Sequence, residues 1–117
     1  MQPITLEAAL AEIHFHDAVL RRVVEEPEAG ELLLEVDYPV DWQADRFEPR
    51  VIVFGDVLDY SVREGNLDGA PTLLAADVVG ERDGRSLVRI ETNAGHRELL
   101  CRSVTLRVSE PGSSFTD

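Results

Sequence analysis

The stretch DAVLRRVVEEPEAGELLLEVDY, residues 17–38, decides the fold class, because two apolar runs flank a five-residue break at 27–31 that reads as a reverse turn between hairpin arms. The second arm alternates. Leu32, Leu34, Val36 and Tyr38 share one face and Glu31, Leu33, Glu35 and Asp37 the other, the period of a strand with one side in a core.

Upstream of the hairpin, Thr5 caps a short predicted helix through Ile13, with Leu6, Ala9, Leu10 and Ile13 on one face and Glu7 in the first turn. About nine residues cannot hold a helix alone, so that stripe must dock on a sheet. Downstream, residues 39–50, PVDWQADRFEPR, read as a polar loop carrying Trp42 and Phe47. These rings either pin the loop to the body of the protein or stand out as partner-binding residues.

Residues 51–63, VIVFGDVLDYSVR, read as one strand with Ile52, Phe54, Leu58, Tyr60 and Val62 on a common face. Asp56 interrupts that face, and a bulge at Gly55 accounts for it. A turn over 65–71 leads to a meander: a strand from Leu73 to Arg82, a two-residue turn at Asp83 and Gly84, a strand from Arg85 to Thr92, and a final run from His96 to Val108. That run slips phase near Arg102 and Ser103, as a bulge or bend would make it do. Residues 111–117 read as a frayed tail. The expected fold is mainly β (α+β): one domain over 1–117, with about six antiparallel strands as a curved sheet or two-layer sandwich and one short N-terminal helix.

The 117 residues suffice for one core without a staple, and no apolar run approaches the ~20 residues of a membrane-spanning helix. The start of the chain lacks the basic region of a secretory signal, and Cys101, the only cysteine, sits in an apolar segment as a buried, inert thiol. Both point to the cytoplasm. The net charge of −12, from 23 acidic and 11 basic residues, all of them arginine, disfavours nucleic acid and anionic membrane as partners and would steer a basic protein inward.

His14 and His16 carry the sharpest chemical expectation. Residues two apart in an extended chain point the same way, so two imidazoles could serve one divalent metal, with Asp17, Asp56, Asp59 or His96 completing the set. The plainer reading makes them polar residues satisfying the end of the helix. Asp37, Asp41 and Asp45 lack the spacing and glycine of a calcium loop, and no phosphate-binding loop, nucleophile elbow or paired-cysteine zinc motif is present, so no cofactor and no catalytic residue is expected.

The segment FHDAVL at 15–20, the hairpin, and the strand opening VIVFGDV resemble small bacterial domains of uncharacterised type, including immunity-type proteins of toxin systems. Those share an HD followed by alternating apolar residues and a later F-x-x-V, matched here at 54–57. The resemblance implies a β-rich domain that binds a protein partner and does no chemistry. Three expectations follow: a non-enzymatic binding domain, homodimeric or acting through a sheet edge or its wet face, with an acidic inhibitor of a basic protein as the narrower form; a metal-binding domain or metal-dependent enzyme at His14 and His16; and a small-ligand pocket between sheet and helix.

Overall fold

A computed structural model describes residues 5–41, 43–65 and 69–108. It has one helix, α1 (Leu6–Glu12), and eight strands: β1 (Val19–Glu26), β2 (Glu31–Asp41), β3 (Arg46–Gly55), β4 (Leu58–Glu64), β5 (Leu73–Arg82), β6 (Arg85–Thr92), β7 (Gly95–Cys101) and β8 (Ser103–Val108). They form two antiparallel four-stranded sheets, one in the order β1-β2-β3-β8 and the other β4-β7-β6-β5.

The expected hairpin is β1 and β2, in register from Val19 opposite Asp37 to Glu26 opposite Glu31. Leu32, Leu34 and Val36 are buried and join Ile52, Phe54, Leu73, Val88, Ile90, Leu99, Cys101 and Val104 in one core between the sheets. Burying each such side chain stabilises the fold by about 1.5–3 kcal/mol, so this shared core outweighs any single surface interaction.

Two corrections explain why eight strands appear where about six were expected. The run 51–63 is not one bulged strand. Asp56, at φ 53°, turns the chain out of the first sheet at the end of β3 and into the second at β4, so Leu58 ends half exposed instead of sharing the face of Phe54. The final run divides likewise at Arg102, with β7 in one sheet and β8 in the other. Strands that change sheets at corners are how two packed layers stay continuous. The two corners are tied together, since the Arg102 amide donates to the Gly55 carbonyl at 3.0 Å.

The loop expected over 39–50 is a correction as well, being the end of β2, a tight turn and the start of β3. Asp41 Oδ1 accepts from the amides of Gln43 and Ala44, each at 3.1 Å, and Asp45 adopts φ 53°. Pro39 lies where β2 extends past its outer neighbour, since β1 pairing stops at Asp37, and the described pairing of β3 with β8 ends at Arg50 opposite Val108. A proline has no N–H to give, and among the described residues no strand there needs one.

Thr5 caps α1 as expected, its hydroxyl accepting from the Ala8 amide at 3.1 Å. The helix has only seven residues and buries Leu10, with Ile13 just beyond it, against β5 and β8. Docking, not propensity, holds it. No helix of the described residues is long and apolar enough to cross a membrane.

Candidate functional site

The sequence-derived site residues are scattered. His14 and His16 are exposed in the link between α1 and β1. The His14 amide donates to the Tyr38 hydroxyl at 2.7 Å, and His16 Nδ1 lies 3.3 Å from Asp17 Oδ2. Asp56 forms the β3–β4 corner, where its carbonyl accepts from Arg85 Nε at 2.8 Å, and Asp59 pairs with Arg82. His96 lies on β7, paired in register with Arg63 and Glu91. Among the described residues no three of His, Cys, Asp or Glu stand together as metal ligands. Phe47 is 39% exposed on β3, opposite Pro39 of β2. Trp42 lies outside the described residues.

A polar cluster that the sequence did not single out sits between β4, β6 and β7. Glu64 receives Arg97 through two parallel bonds of 2.7 and 2.8 Å, Thr92 donates to it at 2.9 Å, and Arg97 donates to the Tyr60 hydroxyl at 2.9 Å. The hydrogen bonds from Arg97 hold the Glu64 carboxyl below its ordinary range and raise Arg97 in turn, while burial pushes the Tyr60 hydroxyl up. Every charge in the cluster has its partner, so the arrangement is suited to fixing β4 against β7. Burial also pushes the Cys101 thiol up to about 12, the setting of an inert core residue.

Open hollows lie on the surface of the described residues. One of about 250 Å³ separates α1 from β5, beside Leu10 and Val78. Another, of about 280 Å³, has Glu25, Glu26, Glu31 and Asp59 around Leu32, Val57 and Tyr60. A third, about 420 Å³, runs between α1 and β8 and is lined by Ala9, Glu12, Ile13, Val104, Thr105 and Leu106. Val104 is buried, while Thr105 and Leu106 beside it are exposed. A hollow touched by three consecutive strand residues therefore opens on the edge of the strand, not on one face.

That edge differs from the other three. β1, β4 and β5 each carry a register break, at Leu20/Arg22, Leu58/Ser61, and Leu73/Ala75 with Val78/Gly80. Such bulges twist an edge away from foreign strands. β8 pairs with β3 in unbroken register from Ser103 to Val108. Among the described residues no turn or loop backbone bond reaches β8, and Leu106 and Val108 are 37% and 67% exposed. The sequence showed the alternation of these residues but not that the strand would lie at an edge, since that depends on the corner at Arg102.

No family model matches the chain, and none of the curated proteins or solved structures compared with it is similar.

Proposed function

We propose that this chain is a non-enzymatic protein-binding domain that takes an extended segment of a partner along β8. The observation that supports this most is the unbroken register of β8 at the rim of a groove, where the other edge strands are bulged. An added strand gains backbone hydrogen bonds along such an edge, and pockets beside it choose alternate side chains. The net charge of −12 supports the narrower reading of an acidic, immunity-type inhibitor acting on a basic protein in the cytoplasm.

The test is direct binding of a labelled, blocked heptapeptide, Arg-Thr-Val-Thr-Val-Thr-Arg, by fluorescence anisotropy. Wild type binds it. Leu106→Lys, at an exposed position that leaves the melting temperature in place, removes the binding. Equal binding by both proteins would exclude β8.

A further inference from the structure

The geometry of the groove points to the chemistry of its occupant: an extended segment that presents apolar side chains toward α1 and, on that same side, an arginine or lysine that reaches Glu12. This rests on the reading of β8 as a binding edge. The floor of the groove is apolar, with Ile13 8%, Val104 5% and Leu106 37% exposed. A strand laid beside β8 sends every second side chain onto that floor. The wall is acidic. Glu12 is exposed at the end of α1, has no ion pair among the described residues, and the last turn of the helix offers no basic residue.

Charge selects among occupants. An acidic segment would meet Glu12 and a chain of net charge −12, and a second copy would bring another −12 to the contact. A basic segment is attracted at long range and pairs locally, its long side chain lying along the apolar floor with the charge at the rim.

The experiment compares the arginine heptapeptide with its counterpart Glu-Thr-Val-Thr-Val-Thr-Glu on wild type, Glu12→Arg and Glu28→Arg. Glu28 lies exposed in the β1–β2 turn and carries the same charge change away from the groove. The expected result is that Glu12→Arg weakens the arginine peptide about fivefold or more and improves the glutamate peptide, while Glu28→Arg shifts either by about twofold at most. Equal weakening by both variants, or equal affinity of wild type for both peptides, overturns the basic occupant. The edge reading survives that result as long as Leu106→Lys abolishes binding. Failure of wild type to bind either peptide overturns the edge reading itself. A dimer in sedimentation equilibrium that Leu106→Lys dissociates overturns the basic occupant in favour of a second copy.

Discussion

Arg97 and Glu64 meet through two parallel hydrogen bonds with each side chain only 11% exposed, 33 residues apart in the chain and on adjacent strands. Breaking such a pair strands a charge in a desolvated place. Arg97→Ala should cost about 3 kcal/mol in urea unfolding, and Glu64→Leu combined with Arg97→Met should recover most of that loss. A loss below about 1 kcal/mol for Arg97→Ala would mean that the cluster is solvated.

The same pair sets a pH dependence. Arg97 lowers the Glu64 carboxyl in the folded state, so the stabilisation is fully present above the unfolded value of 4.5 and is lost as pH falls through the lower folded value. The stability gap between wild type and Glu64→Gln should therefore narrow as pH falls below the unfolded value of 4.5. A constant gap over that range would sever the link to Arg97.

Gly95 opens β7 at φ 152°, and a Cβ there would overlap the Arg63 carbonyl oxygen and stand 3.0 Å from Glu64 Cα. Each of these atoms is backbone of β4, so nothing flexible is there to yield. Gly95→Ala should lower stability by about 3 kcal/mol or more, whereas Gly65→Ala, with open space around its site, should change it by less than about 1 kcal/mol. Similar melting temperatures for the two variants would show that β4 and β7 do not approach so closely.

Cys101 is fully buried, with its thiol pushed up to about 12, so a disulfide reagent at about pH 8 should label it only at the rate of unfolding. Labelling should accelerate in step with denaturant. Complete reaction within minutes in native buffer would place the thiol at the surface.

Local signals in the sequence were reliable where one segment alone determines the structure. Thr5, with Leu6, Ala9, Leu10 and Ile13, marked α1, and Asp83 with Gly84, at φ 54° and 78°, marked the β5–β6 turn. The corners were harder to read because apolar alternation continues across them: nothing between Phe54 and Tyr60 announces that the chain leaves one sheet for the other. Asp56 was visible as an interruption, but an aspartate in the left-handed region and a bulge at the preceding glycine leave the same mark. Pro39 misled for a related reason, since it excludes a strand flanked on both sides and not the overhang it occupies. The groove could not be read at all, because it joins α1 to a strand about ninety residues later that docks beside it only through the shared core.

Amide hydrogen exchange across the whole chain, with and without the arginine heptapeptide, bears most directly on β8 as the binding edge. The expected result is slowed exchange confined to residues 103–108 and the adjoining 9–13 of the helix end. Slowing centred on β1, β4 or β5, with 103–108 unchanged, would contradict it.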